Sequence, residues 1–148
     1  MDIILWRHAD AEDGIPDEGR KLTQKGNRQA QKVAKWLKER LPSDTRILVS
    51  PAKRTQQTVS HLTDKYETVK EIASGATVKN ILSAIGEIND TTYETVLVVG
   101  HQPTLGMVAA YLLGCRETHL AVKKGSIWWF RYDDEGISLL AVITPEMA

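Results

Sequence analysis

The chain has few cysteines, few aromatic residues and no net charge. Cys115 is the one cysteine among 148 residues, which excludes an intramolecular disulfide framework and is typical of a reducing compartment. Lys and Arg together equal Asp and Glu at 19 each, so no net field favours nucleic acid or an anionic membrane as a partner. No apolar run has the length of a membrane span or of a signal peptide. We therefore expect a single cytoplasmic domain over residues 1–148 with no nucleic-acid or membrane partner.

Three short apolar runs predict buried β-strands. They span Met1–Leu5, residues 47–49 and residues 95–99. A serine followed by a proline comes after the second run, a pair that is typical of a helix N-cap and first helical position. A proline also follows the third run, where it predicts the start of another helix. Strands that pass directly into helices indicate an α/β protein with parallel strands.

An arginine, a histidine or both follow each of these runs. The candidate site residues are Arg7, His8, Arg54 and His101. Because the carboxyl ends of parallel strands meet at one crevice, we expect these side chains to converge there. Guanidinium groups bind the oxygen atoms of a phosphoryl group, a neutral imidazole can attack its phosphorus, and helix N-termini favour anions. The pattern predicts a phosphate pocket.

The remaining pattern predicts a three-layer α/β/α sandwich with a mostly parallel central sheet. A polar loop over residues 9–22 is expected to lie over the site. Thr23 and Thr77 are predicted N-caps of two helices, the first of which should continue to Pro42. A further helix should follow Pro51, and another should span residues 103–113. The segments 126–132 and 137–143 predict a β-hairpin.

These segments resemble the histidine phosphatase superfamily, the phosphoglycerate-mutase-like group, and most closely its small phosphohistidine phosphatases of the SixA type. The motifs that carry the resemblance are Arg7-His8-Ala9-Asp10-Ala11, Leu22-Thr23 with Gly26, Leu48-Val49-Ser50-Pro51 with Arg54 and Gln57-Thr58, and Val98-Val99-Gly100-His101-Gln102-Pro103. The resemblance implies a minimal fold without the large cap insertion of bigger relatives. Ala9 stands where glycine is usual in the family; its methyl group could crowd the pocket floor or force φ negative, and we expect the fold to tolerate it.

The resemblance and the chemistry of the residues agree on the roles. His8 would attack phosphorus to form a phosphohistidine, while Arg7 and Arg54 hold the phosphoryl oxygens and repel a proton from His8. His101 would stabilise the transition state. Ser50 is predicted to be a helix cap, with phosphate binding as the alternative. No metal and no other cofactor is expected, and vanadate should bind as phosphate does.

The general acid is not defined by the sequence. Asp10, Glu12 and Glu71 are the candidates, and a solvated surface charge is the alternative for each. An alcohol leaving group needs a positioned acid more than imidazole does. A weakly specified acid therefore favours a phosphoramidate substrate.

We accordingly predict a metal-independent phosphatase that acts on protein phosphohistidine, for example on a phosphotransfer domain. The alternatives are a phosphatase for small phosphorylated metabolites or for phosphoserine and phosphothreonine, and a non-catalytic regulator that binds a phosphorylated ligand. Lys123 and Lys124 form either an exposed charged turn or a contact for an acidic protein partner.

Overall fold

A six-stranded mixed sheet forms the centre of the protein. The computed structural model describes residues 1–86, 94–115 and 119–148. The strands are β1 (Asp2–Arg7), β2 (Arg46–Val49), β3 (Glu67–Thr68), β4 (Thr95–Gly100), β5 (Ile127–Asp133) and β6 (Gly136–Ile143). Their order in the sheet is β3-β2-β4-β1-β5-β6. The first four strands are parallel to one another, and β5 and β6 form the predicted antiparallel hairpin.

Four α-helices connect these strands. They are α1 (Gln24–Lys38), α2 (Lys53–Ser60), α3 (Val78–Gly86) and α4 (Thr104–Leu112). Short 3-10 helices span Asp17–Gly19 and Lys70–Ile72. The hydroxyls of Thr23 and Thr77 accept hydrogen bonds from backbone N–H groups in the first turns of α1 and α3, as predicted. Within the described residues, no helix combines the length and the apolar character that crossing a bilayer requires.

The helices pack on both faces of the sheet. Alternate residues of β1 point to opposite faces, so Ile3 and Leu5 pack with α3 and α4, while Ile4 and Trp6 pack with α1 and α2. Both faces are therefore apolar, and the central strands β1 and β4 are buried except at Arg7, as expected for parallel strands covered on both sides. The predicted three-layer α/β/α sandwich is confirmed.

Two predicted helix boundaries were wrong. The helix after β2 begins at Lys53 rather than at Pro51, and its N-cap is Ala52, which has no side-chain cap. The Ser50 hydroxyl is instead shared between the His101 ring and the Ala52 N–H, so it does not cap the helix. Similarly, α1 ends at Lys38, before Pro42.

The register of the parallel strands brings the motif residues together. Arg7 of β1 pairs with Gly100 of β4, so His8 and His101 are the next residues on adjacent strands. Val49 of β2 pairs with Val99 of β4, which places Ser50 on the other side of the same strand end. Adjacent strands lie about 4.8 Å apart. The sheet itself therefore sets the spacing of these side chains.

Gly26 allows α1 to approach the loop that follows β1. A Cβ atom at this position would overlap the carbonyl oxygen of Asp10. That oxygen accepts a hydrogen bond from the Thr23 N–H, so the loop has little freedom to withdraw.

We expect Gly26→Ala to lower the free energy of unfolding by about 1–3 kcal/mol, because backbone atoms would have to move apart. Gly19→Ala is the matched control, since the nearest atom to an added Cβ there is 3.5 Å away. Urea denaturation of both variants checks this. Equal stability of Gly26→Ala and wild type would show that the contact is not tight.

Candidate active site

Two buried imidazoles lie side by side at the carboxyl edge of the sheet. The ring centroids of His8 and His101 are 5.4 Å apart, and their planes are inclined by 55°. Both residues are less than a tenth exposed. A substrate group bound over this edge of the sheet can therefore contact both rings.

The hydrogen bond of His8 defines which nitrogen can react. Nδ1 of His8 lies 2.7 Å from the carbonyl oxygen of Ala9. A carbonyl oxygen only accepts hydrogen bonds, so Nδ1 carries the hydrogen in this contact. In the neutral ring the lone pair is then on Nε2. His8 is thus held as the tautomer whose Nε2 is the nucleophilic atom.

His8 is kept unprotonated mainly by burial. Burial lowers its pKa from 6.5 to about 4, with smaller contributions from the charges of Arg54, Arg7 and Arg20, against the raising effect of the Ala9 hydrogen bond. From the sequence alone, the repulsion by the arginines was the expected cause. Desolvation is the larger cause, because the charged ring loses its hydration in the buried site.

Ser50 orients the second imidazole. Its hydroxyl oxygen lies 2.7 Å from Nε2 of His101. Burial, followed by the charges of His8 and Arg54, lowers the pKa of His101 to about 3. His101 is therefore neutral at pH 7 and can act through a ring N–H rather than as an imidazolium. Ser50 is therefore a residue of the site and not a helix cap.

Arg54 projects from the first turn of α2 and is almost completely buried. One of its terminal nitrogens donates to the carbonyl oxygen of Asp17 over 2.7 Å, and the other donates to the Asp17 carboxylate over 3.0 Å. The loop over residues 9–22 thus reaches the site, and its aspartate neutralises a guanidinium that burial would otherwise leave unpaired. The hydrogen bond from Arg54, then that from Arg20, lowers the pKa of Asp17.

Arg7 completes the cationic side of the site. A terminal nitrogen donates to the carbonyl oxygen of Val122 over 2.9 Å, which fixes the guanidinium beside the loop before β5. Arg7 Nε, Arg54 Nε and His101 Nδ1 are buried and have no hydrogen-bond partner in the described part of the chain. A bound oxyanion is the kind of group that satisfies guanidinium donors of this sort.

The second arginine segment also supports the loop after β1. The Thr58 hydroxyl accepts from the Ala9 N–H over 3.0 Å and donates to the Arg54 carbonyl over 2.7 Å. The Gln57 side chain accepts from the Leu22 N–H at the far end of the loop. α2 therefore positions its own arginine and both ends of the loop with consecutive side chains.

Ala9 does not strain the backbone. Among the described residues, only glycines have positive φ, so the alanine adopts an ordinary conformation. Its methyl group is fully buried with Leu22 and Ala30. The residue fills a small apolar cluster beneath the loop.

The three candidate acids lie in different surroundings. The Asp10 carboxylate contacts Lys124 at 2.9 Å and the Thr23 hydroxyl at 2.8 Å, and the hydrogen bond from Lys124 lowers its pKa. Glu12 is exposed in the loop. Glu71 is exposed and lines a surface pocket with Arg46 and Asn80. No hydrogen bond or ion pair found among the described residues joins these carboxylates to either buried histidine.

Asp17 and Arg20 are the site residues that the sequence analysis missed. Asp17 pairs with both Arg54 and Arg20, the latter at 3.1 Å. Their separation of three residues in a loop already predicted to lie over a cationic pocket is the signal that was available. Within the described residues, no group of three His, Cys, Asp or Glu side chains is arranged to hold a metal ion.

Comparison with known proteins assigns the chain to one family. The model of the histidine phosphatase superfamily (branch 1) matches residues 3–76. An uncharacterized protein of Mycobacterium tuberculosis, Rv1276c, is 35% identical over 119 residues, which cover 78% of this chain and 75% of that protein. A SixA homolog of Haemophilus influenzae, named as a phosphohistidine phosphatase, is 32% identical over 130 residues, covering 78% and 79%.

A solved structure adds a likeness over almost the whole chain. The protein histidine phosphatase SixA in complex with tungstate has 26% identity and a TM-score of 0.84, and the match covers 98% of this chain and 97% of that one. The protein therefore belongs to the histidine phosphatase superfamily and is a phosphatase. Within the superfamily it is similar to SixA.

The buried histidines generate a pH prediction. The folded protein keeps the pKa values of His8 and His101 at about 4 and 3, whereas an unfolded chain has values near 6.5. Between pH 6.5 and 4 the unfolded chain thus binds more protons. The stability from the neutral rings is complete above pH 6.5 and is lost as pH falls through this window.

NMR of 15N-histidine-labelled protein should show two rings that are still neutral at pH 5, with the His8 ring protonated on Nδ1. His8→Gln and His101→Gln assign the signals. The His8→Gln variant should also lose less stability between pH 7 and pH 5 than wild type. Titration of His8 near pH 6.5 would contradict the burial argument.

Proposed function

We propose that this phosphatase removes phosphoryl groups from protein histidine residues through a covalent phosphohistidine on His8. The observation that carries the proposal is the neutral His8 ring, with Nδ1 held by the Ala9 carbonyl and Nε2 left as the nucleophile. Its position beside Arg7, Arg54 and His101 supports catalysis rather than passive anion binding. The likeness of the whole protein to SixA supports the choice of substrate.

The first step transfers the phosphoryl group to the enzyme. Nε2 of His8 attacks phosphorus while the bond from phosphorus to the substrate imidazole nitrogen breaks. That imidazole leaves with the bonding electron pair and takes a proton from solvent. Arg7 and Arg54 bind the equatorial oxygens, and the ring N–H of His101 donates a hydrogen bond to them as negative charge develops.

The second step releases phosphate. A water molecule attacks phosphorus, the bond to Nε2 breaks, and the electron pair returns to the His8 ring. One proton of the water is lost to solvent, and inorganic phosphate leaves. Ser50 holds the His101 ring in place through both steps.

The carboxylates favour a phosphoramidate over a phosphate ester. The pKa of Asp10 and that of Asp17 are both lowered by cationic partners, which makes these groups poor proton donors. An alkoxide leaves poorly without a donor, whereas imidazole leaves readily. Arginines and histidines that bind the phosphoryl oxygens also support a reaction that needs no metal.

The test compares kcat/KM for a phosphohistidine peptide, the matching phosphoserine peptide and 3-phosphoglycerate, each with and without EDTA. We expect the phosphohistidine peptide to be used at least tenfold better than the others, with no effect of EDTA. A metabolite that outperforms the peptide tenfold would favour the metabolite phosphatase. Anion binding without turnover would favour the regulator.

Two variants control this test. Arg54→Ala should lose about a hundredfold or more in kcat/KM, since a buried phosphate ligand is removed. Lys53→Ala should retain activity, because Lys53 is exposed on the same turn. If the two variants lose activity equally, Arg54 is not the oxyanion ligand.

A further inference from the structure

A strongly basic cleft adjoins the candidate active site. Six of the ten residues that line it are cationic, and Glu146 is its one acid. We call it the basic cleft and define it by Arg7, Lys25, Arg28, Lys32, Lys123 and Lys124. The chain as a whole has no net charge, so this concentration of positive charge is local.

Most of these cations form no ion pair with an acid in the described part of the chain. Lys124 pairs with Asp10, and Arg7 is held by the Val122 carbonyl. The other four are exposed and form no ion pair with any residue that the structure describes. They are therefore available to a ligand.

The cations of α1 repel one another. Lys25, Arg28 and Lys32 are spaced three and four residues apart on one face of the helix, and Lys25 lies in the first turn, which contains no acid. The helix dipole makes this end positive, and like charges three or four residues apart repel one another. The charge of Lys25 helps to lower the pKa of Asp10, whereas Arg28 and Lys32 form no ion pair with any described residue. Repulsion that the fold offsets only in part points to binding as the purpose of the arrangement.

The basic cleft is continuous with the phosphoryl pocket through Arg7. From Lys25 to Lys32 the helix rises about 10 Å, which is more than one phosphoryl group spans. Arg7 and Arg54 are the ligands proposed for that group. The additional cations therefore suit several anionic groups elsewhere on the same substrate.

We propose that the basic cleft binds an acidic segment of the protein that carries the phosphoryl group. This inference rests on the proposed function, since it assigns the part of the substrate that lies outside the catalytic pocket. Carboxylates spaced along a chain match cations spaced along a helix. Substrates with acidic flanking residues are thereby selected over neutral ones.

The test uses two phosphohistidine peptides that differ only in four flanking residues, aspartate in one and asparagine in the other. We expect kcat/KM to be about tenfold higher for the aspartate peptide at low ionic strength. This preference should shrink at 0.5 M salt, where screening acts within a few ångströms. Equal use of both peptides at low salt would overturn the proposal.

Charge reversal locates the effect. The triple variant Lys25→Glu, Arg28→Glu, Lys32→Glu should lose the preference for the aspartate peptide, while hydrolysis of p-nitrophenyl phosphate stays within about threefold of wild type. An acid in place of Lys25 suits the positive end of the helix, and all three positions are exposed, so the melting temperature should not fall. Loss of both activities together would assign these residues to the catalytic pocket and overturn the proposal.

A matched control makes the same change of charge elsewhere. Lys35→Glu, Lys38→Glu, Lys65→Glu alters exposed residues outside the basic cleft and should keep the preference. If it loses the preference equally, the effect is one of net charge and the proposal fails.

Failure of the proposed function is distinguishable from failure of this inference. If neither phosphohistidine peptide is hydrolysed, the proposed function fails, and the unphosphorylated peptides are tested as inhibitors of p-nitrophenyl phosphate hydrolysis. Stronger inhibition by the aspartate peptide supports the cleft assignment, and equal inhibition overturns it. Competition by pyrophosphate that the triple variant weakens, without a matching effect on the aspartate peptide, would assign the cleft to a small polyanion and overturn the proposal.

Discussion

The site depends on keeping two imidazoles neutral inside a cluster of arginines. His8 and His101 lose most of their hydration at the sheet edge, and the nearby guanidinium charges add to the cost of protonating them. The Ala9 carbonyl then determines which nitrogen of His8 carries its one hydrogen. Burial, charge and one backbone hydrogen bond together make Nε2 a nucleophile at neutral pH.

The same cations require counter-charges when no oxyanion is bound. Arg54 is almost fully buried and pairs with the Asp17 carboxylate. The loop over residues 9–22 therefore has an electrostatic reason to lie over the site. Its ends are fixed by Gln57 and Thr58, so α2 links the position of the loop to that of Arg54. A substrate phosphoryl group and the Asp17 carboxylate offer the same guanidinium similar oxygen ligands.

Much of the fold was predictable because the signals were local. Apolar runs define β1, β2 and β4, and threonine caps define the starts of α1 and α3. The convergence of the arginines and histidines followed from one rule about parallel strands. A motif placed directly after a buried strand is thus well determined by sequence.

The parts that were not predictable depend on contacts between distant residues. Ser50 bonds to His101, which lies 51 positions away, so it does not cap the helix that its local sequence favours. Asp17 meets Arg54 only because the loop folds over α2. The basic cleft joins one face of α1 to Lys123 and Lys124, which the sequence left as a charged turn or a docking contact. Short-range patterns contain none of these pairings.

The central claim is that Nε2 of His8 receives the phosphoryl group. Rapid alkaline quenching during the first turnover with a 32P-labelled phosphohistidine peptide, followed by peptide mapping, tests it directly. We expect label on His8 alone, as the Nε2 isomer of phosphohistidine, and none in His8→Ala. Label on His101 or another residue, label on Nδ1 of His8, or turnover with no labelled enzyme would contradict it.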